Sequence, residues 1–385
     1  MNAVTRNASG APADAHSPAL SSTPAACPFD ATGFLDRQNV GSRRSPLLNR
    51  YYAIKPMLPR TVQLALRRAF AKYQARRRFP SWPIETLRVD ELKERFRLQL
   101  QASGSERIAF LNFWPERRRF GLILTHDVEG PRGVENISRV LELERRYGLH
   151  SSWNFVAEDY AIDPAVFSEL RAAGCEIGLH GLHHDGLLFA DRSSFLTQLP
   201  RIREVMSEWG AVGFRSPATH RQPEWMAELG CLYDSSFPDT DPFEPQPDGC
   251  CSIWPFFLGN VVELPITMPQ DHTLFEILRE RTIARWVQKS DWLVANHGLV
   301  NVLVHPDYLL DAGRLELYEE LLAHLTGLSG AWHVLPRDVA SWWRRRSRLQ
   351  NDEAAQVLAG VAAETGPRAT IAHARMEGGE LVFEI

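Results

Sequence analysis

"FGLILTHDVEG", Phe120 to Gly130, is an apolar run of strand length that ends in Thr125, His126, Asp127 and Glu129. A short continuous apolar run bounded by turn residues reads as a buried strand. On an extended chain, side chains alternate between faces, so Asp127 and Glu129 point the same way and His126 points the other way, into packing. Two carboxylates on one face of a buried strand's end need a positive partner. Further along, "EIGLHGLHHDG" (176–186) runs from another apolar segment into His180, His183 and His184. His180 and His184 are four apart, so a helical turn or tight loop can aim both imidazoles at one point. Joined by an acid from the first strand, they make a His-His-carboxylate set suited to zinc with a position left open. One acid would bind the cation and the other would act as a base on the water it activates.

Around these two stretches the pattern repeats. From about 118 on, short apolar runs alternate with amphipathic segments. The strand candidates are "FGLILT", "SSWNFV", "CEIGLH", "VGFRSP", "CLYDSS", "VVELPIT", "VNVLVHP" and "WHVLP". Between them lie helical patterns such as "NISRVLELERRYG", "SFLTQLPRIREVMSEWG" and "GRLELYEELLAHLTG". Strand, helix, strand at this pace predicts an α/β fold with a parallel sheet, and seven or eight repeats predict closure into a distorted (β/α) barrel over 118–345. Chemistry in such barrels sits where strands end and βα loops begin. Those ends carry Asp127 and Glu129, His180 with His183 and His184, Arg215, Asp234, then Asp271 with His272, and finally His305 with Asp307. Independent strands thus supply polar groups to one rim, a stronger signal than any single motif.

The order of these motifs resembles the polysaccharide deacetylases, the NodB-homology superfamily (carbohydrate esterase family four). "THDVE" looks like its first motif, "HGLHH" fits its H-x-x-x-H metal motif, "RSP" its R-x-P motif, "YDSSF" its D-x-S motif and "LVHP" its last. The resemblance covers roughly 118–340. It implies a barrel of deacetylase type and a metal-dependent amide hydrolase that removes an N-acyl group from a sugar or glycan precursor. It implies Asp127 as general base, Glu129, His180 and His184 as metal ligands, and Arg215 as the group that holds Asp127 ionised. It also implies His305 as general acid, with Asp234 favouring its protonated form. The cofactor implied is a divalent metal, zinc first, with cobalt, nickel or iron as alternatives. This sequence departs from the pattern in separating the acids by Val128, which keeps open the exchange in which Asp127 ligates and Glu129 is the base. "RSPATH" lacks the usual aromatic residue, and His183 competes with His184. Rival readings are hydrolysis of a small linear or cyclic amide and a non-catalytic glycan-binding barrel.

The chain has 385 residues with 43 Lys and Arg against 47 Asp and Glu, a net charge of -4. The charge is uneven: a dozen Lys and Arg and no acid lie between Arg37 and Ile84. Residues 1–30, rich in Ala, Ser and Pro, read as a disordered tail, and 31–117 as a basic helical extension. Within it "LPRTVQLALRRAFAKYQARRR" carries an apolar stripe of Val62, Leu66, Ala69, Phe70 and Tyr73. The charge of 37–78 reads as a solvated helix balancing an acidic barrel, or as a peripheral contact with an anionic membrane or lipid-linked sugar. No nucleic-acid-binding motif accompanies it. Residues 346–385 form a C-terminal segment ending in a hairpin, "ATIAHARMEGGELVFEI". Five scattered cysteines without C-x-x-C spacing suit a reducing compartment. With no signal-peptide core and no membrane span, the expected location is the cytoplasm. The tryptophans are read as core, and no oligomeric state is implied.

Overall fold

The structure is a computed structural model, and it describes residues 57–77, 79–352 and 366–385. The expected tail over 1–30 lies outside the described residues, as does the basic stretch from 37 to 56. Among the described residues no helix is long and apolar enough to cross a membrane.

The chain opens with helices α1 (Arg60–Gln74) and α2 (Leu87–Ser103), then strand β1 (Arg107–Leu111). The barrel region follows: β2 (Phe120–Val128), α3 (Pro131–Arg146), β3 (Ser152–Phe155), α4 (Pro164–Ala172), β4 (Glu176–Leu179), α5 (Arg192–Trp209) and β5 (Gly213–Phe214). Next come α6 (Pro223–Met226), β6 (Tyr233–Asp234), β7 (Phe256–Leu258), β8 (Val261–Glu263), α7 (Ala284–Ala295) and β9 (Leu299–Val304). The chain ends with α8 (Ala312–Gly327), β10 (Ala331–His333), α9 (Pro336–Asp352), β11 (Ile371–Glu377) and β12 (Glu380–Glu384). All eight strand candidates contain a strand.

β2 is the hub. All nine of its residues are buried, as expected of a parallel strand covered on both faces. β9 runs along one edge, while the other edge is shared by β10 at Phe120–Leu122 and β3 at Thr125–Val128. The sheet continues through β4, β5, β6 and β8, all parallel, to the antiparallel β7. Beyond β8 the chain curls back to β9: Met268 N–H donates to the Asn301 carbonyl at 3.2 Å, and Thr267 Oγ1 to that of Leu299 at 2.5 Å. The result is a curled, distorted barrel, whose C-terminal rim gathers the predicted site residues.

The helices start where the sequence dictates. α3 and α4 place Pro131 and Pro164 in the first turn, where a missing N–H costs nothing. Asp163, Asp191 and Asp311 cap α4, α5 and α8 by accepting from Ala165, Ser194 and Arg314 N–H. Trp153, Trp254, Trp342 and Trp343 are buried, as is Trp332, so the tryptophans belong to the core. The four cysteines among the described residues are buried thiols.

A second, smaller sheet joins the expected N- and C-terminal segments. β1 pairs antiparallel with β11, which pairs with β12. Val89, Leu92, Phe96 and Leu100 of α2 are buried, and the Phe96 ring packs 5.0 Å from Phe110 and 5.4 Å from Phe383. The stretch from 31 to 117 is therefore not purely helical.

α1 reverses the expectation for the basic helix. Its stripe of Val62, Leu66, Phe70 and Tyr73 faces outward, and its polar side faces the barrel mouth. Arg67 donates to the Phe243 carbonyl and Arg68 to the Glu276 carbonyl, the latter at 2.8 Å.

Candidate metal and catalytic site

Glu129, His180 and His184 stand together: their ligand atoms all lie within 4.8 Å of one another, a grouping found among the described residues. Glu129 follows β2 directly, and its backbone N–H donates to Asp307 Oδ2 at 3.0 Å. Asp307 Oδ1 accepts from Gly133 N–H at 3.1 Å, which ties the end of β2 to the start of α3. His180 follows β4, and its Nδ1 meets the Arg215 carbonyl at 3.1 Å. With Nδ1–H donating there, the lone pair falls on Nε2. That Nε2 is buried and has no hydrogen-bond partner among the described residues. Burial also pushes His180 down to about 4, so the imidazole is neutral and able to ligate. Gly181 turns the chain with φ 76°, and a Cβ there would sit 2.8 Å from Pro217. This tight turn returns His184 to within 3.1 Å of Glu129 Oε1.

His183 lies apart from this group. Its Nδ1 is 2.8 Å from Asp159 Oδ1, whose other oxygen accepts from the His184 N–H at 2.7 Å. Asp159 thus pins a turn that sets His184, and not His183, beside Glu129.

Asp127 is held in a different environment. Its Oδ1 accepts from Asn154 Nδ2 at 2.9 Å and from Arg215 Nη1 at 3.2 Å. Burial would raise this carboxyl, but the Arg215 guanidinium and the neighbouring histidines bring it below its ordinary value. Arg215 is itself buried and aimed: Nε donates to the Ser235 carbonyl at 2.7 Å, Nη2 to Ser235 Oγ at 2.8 Å, and Nη1 also to Thr125 Oγ1 at 2.8 Å. Asp127 and Glu129 therefore share a face of the strand but not an environment. His126 turns away, as expected, and meets Glu144 Oε1 at 2.7 Å.

His305 completes the rim beyond β9. Its Nε2 is 3.8 Å from Glu129 Oε1, and its Nδ1 is 2.7 Å from Asp271 Oδ1. Burial acts to lower His305, but the charge and hydrogen bond of Asp271 outweigh it and raise the group to about 10. The sequence expectation gives this supporting role to Asp234, whereas the carboxylate against His305 Nδ1 is that of Asp271. Asp234 accepts from Ser236 Oγ at 2.8 Å and lies beside Glu263, with burial raising both carboxyls. Asp271 also caps the π-helical turn His272–Ile277 by accepting from the His272 N–H at 2.8 Å.

Asn154 escaped sequence reading, while the rim residues Asp307 and Tyr308 had no role assigned; the Tyr308 hydroxyl donates to Glu129 Oε2 at 3.3 Å. Asn154 was detectable as a polar residue on a buried strand, in register with Asp127. The cleft above these groups is lined on one side by Ser216, Ala218 and Thr219 of the "RSPATH" stretch. Ala218 and Thr219 both have positive φ, 53° and 50°. For a β-branched threonine that is strained backbone, of the kind that collects at functional sites. α1 also walls the cleft, through Gln63, Leu64 and Arg67.

A family model described as polysaccharide deacetylase matches residues 117–224, from just before β2 to just past the Arg215 turn. No curated protein matches the chain. Among solved structures, a putative polysaccharide deacetylase from Mycobacterium smegmatis is similar at 19% identity, with a TM-score of 0.50 over 60% of this chain and 93% of that one. A probable polysaccharide deacetylase from Pseudomonas aeruginosa PAO1 has 18% identity, a TM-score of 0.48 and coverages of 60% and 93%. The PuuE allantoinase has 15% identity, a TM-score of 0.47 and coverages of 60% and 92%. At such identity, structural likeness speaks to the fold. The segment 117–224 is thus similar to the polysaccharide deacetylase family, and the barrel is a fold shared with the Mycobacterium smegmatis structure.

Proposed function

We propose that the protein is a divalent-metal-dependent hydrolase that removes an N-acyl group, acetyl first, from a sugar or glycan precursor. One observation carries the reading: a buried His180 Nε2 without a hydrogen-bond partner among the described residues, inside a donor set completed by Glu129 and His184. A buried polar atom left so is costly unless something absent satisfies it. Two imidazoles and a carboxylate suit zinc or a related borderline cation. The matched family supports the reaction class.

Glu129, His180 and His184 would hold the cation, which when bound supplies Lewis acidity toward an acyl carbonyl and toward water. The chain's own groups move the protons. Asp127, kept ionised by Arg215 and Asn154 at Oδ1, takes a proton from the attacking water as its oxygen bonds to the acyl carbon. His305, kept protonated by Asp271, gives its proton to the amide nitrogen as the carbon–nitrogen bond breaks. The products are a carboxylic acid and a free amine, and exchange with solvent resets Asp127 and His305.

The test is metal analysis joined to acetate release. Protein reconstituted with zinc, cobalt, nickel or iron should bind about one equivalent. Glu129→Gln and His184→Ala should lose it, whereas Asp127→Asn should keep it and be inactive. Metal loss in Asp127→Asn would exchange the roles of the two acids. Opening of a cyclic ureide or imide, with no acetate released from N-acetylated sugars, would move the substrate to small amides. Absence of both metal and turnover would leave a glycan-binding barrel.

A further inference from the structure

α1 is amphipathic with its faces reversed. Toward the barrel it presents Gln63, Leu64 and Arg67, which line the cleft, and buries Ala71 and Gln74. Toward the outside it presents Val62, Leu66, Phe70 and Tyr73, with exposures of 40, 49, 52 and 65%. Spacings of four, four and three place these four on one stripe, where exposed Ala65 and Ala69 join them. Met57, 83% exposed, precedes the helix. A surface helix of a water-facing protein shows the opposite arrangement, and a continuous exposed apolar face marks an interaction site. Lys72 and Arg76 are exposed beside the stripe, and neither pairs with a carboxylate among the described residues. The whole stretch from Arg37 to Ile84 contains no acid.

We propose that this stripe is a docking surface for an anionic lipid bilayer, and that docking lays α1, a wall of the cleft, on the membrane surface. Apolar side chains flanked by cations match the acyl boundary and the anionic headgroups of such a surface. A second copy of the chain fits poorly, because a two-fold contact through the stripe would bring together two α1 helices that each carry cations and no acid. Residues 37–56 fit no better as cover, because they carry Arg and Lys and no acid. Since α1 also walls the cleft, a docked molecule would take its substrate from the bilayer surface. The implied substrate class is an acylated sugar on a lipid carrier, a consequence that rests on the hydrolase reading, whereas docking itself does not.

The experiment is co-sedimentation of the full chain with phosphatidylcholine vesicles, with and without phosphatidylglycerol. The wild-type protein should bind the anionic vesicles more tightly, and salt should weaken that binding. Leu66→Glu with Phe70→Glu should lower the partition coefficient on the order of tenfold or more. Lys72→Gln with Arg76→Gln should lower it on the order of fivefold per charge. None of these residues lines the cleft, so turnover of a water-soluble substrate and the circular dichroism spectrum should be unchanged in both variants. Should the double-glutamate variant fold badly, Tyr73→Ser with Phe70→Ser asks the same question with smaller changes. Wild-type protein that binds neither vesicle, or variants that bind as well as wild type, overturn the proposal. So does a lipid-free wild-type dimer that the glutamate variant converts to monomer, because the stripe would then belong to a second copy. Lack of deacetylase activity would sink the hydrolase reading and leave the vesicle result standing.

Discussion

Replacing Asp271 by asparagine separates two accounts of the general acid. Asp271 Oδ1 lies 2.7 Å from His305 Nδ1 and raises that imidazole to about 10. The acid must be protonated to act, so its contribution is full below that value and is lost as pH rises through it. At pH 8 a group at about 10 is roughly 99% protonated. Asparagine keeps the cap on the His272 N–H but removes the largest charge that opposes burial at His305, leaving Glu129 and Asp127. At the ordinary histidine value only about 3% would be protonated at pH 8, a loss of about thirtyfold in kcat/KM, against about 1.3-fold at pH 6. A cation on Glu129 lowers His305 in wild type and variant alike, so the alkaline limb of the variant stays on the acid side of the wild-type limb. The assay is kcat/KM for acetate release from about pH 5.5 to 9.5, with metal content and melting temperature measured in parallel. A D271N profile that superimposes on wild type, with D234N moving the alkaline limb instead, would refute the assignment.

Three further outcomes follow from contacts around the site. Arg215→Met strands a buried Asp127 without its guanidinium, so activity should fall roughly 10²–10⁴-fold and stability by about 3–5 kcal/mol, read by kcat and by the urea midpoint. In Gly178→Ala the new Cβ would lie 2.0 Å from Asn154 Oδ1 and drive that amide off Asp127. Activity should fall roughly tenfold, the worth of one charge-assisted hydrogen bond, while metal stoichiometry holds. Glu144 is buried and accepts from His126, Ser151 and Tyr318 at 2.6–2.7 Å. Burial would raise its carboxyl, but these partners bring it below the ordinary value. Its stabilisation is therefore complete above about pH 4.5 and is lost as pH falls through the depressed folded value. Glu144→Gln should cost about 1.5–3 kcal/mol at pH 7 and flatten the acid limb of a plot of stability against pH.

The barrel strands were legible because a parallel strand buried on both faces must be a continuous apolar run, and each run here ends abruptly in polar residues. Even β5 and β6, two residues each, are marked by the Arg-Ser-Pro that follows β5 and the Asp-Ser-Ser that starts at the last residue of β6. β7 was missed although its signal was present. "FFLGNVVEL" holds two apolar runs separated by Gly-Asn, which is a hairpin signature, and the antiparallel pair β7–β8 forms there. β1 was missed for a different reason: its partner β11 is far away in sequence, and local pattern carries no information about pairing at that distance. The orientation of α1 was hidden likewise. Periodicity locates a stripe but not what the stripe faces, and here the barrel mouth selected the polar side. Asp271 was visible as a rim acid and assignable as a cap, but its bond to His305 depends on how the turn after β8 meets the end of β9, which only tertiary structure fixes.

The division of labour proposed for the two acids rests on the single residue inserted between them. Adjacent acids on a strand would point to opposite faces, whereas Asp127 and Glu129, separated by Val128, share one. The spacing also moves them apart along the strand, by about 6.6 Å at an ordinary strand rise. Over that distance the surroundings change. At position 127 the chain is still inside the sheet, paired with Asn154 of β3 and within reach of the Arg215 guanidinium, which comes in from the end of β5. At position 129 it has left the sheet, its N–H is taken by Asp307, and the imidazole facing it is that of His184. A carboxylate fixed by a guanidinium and an amide is already neutralised, so it is the poorer cation ligand of the two and the better-defined proton acceptor. One set among three histidine-neighbouring donors, with a longer and less confined side chain, is the better ligand. Shortening Glu129 to aspartate should therefore weaken metal binding while leaving the Asp127–Arg215 bond intact, and a variant that binds metal as tightly as wild type would mean that Glu129 is not what holds the ion.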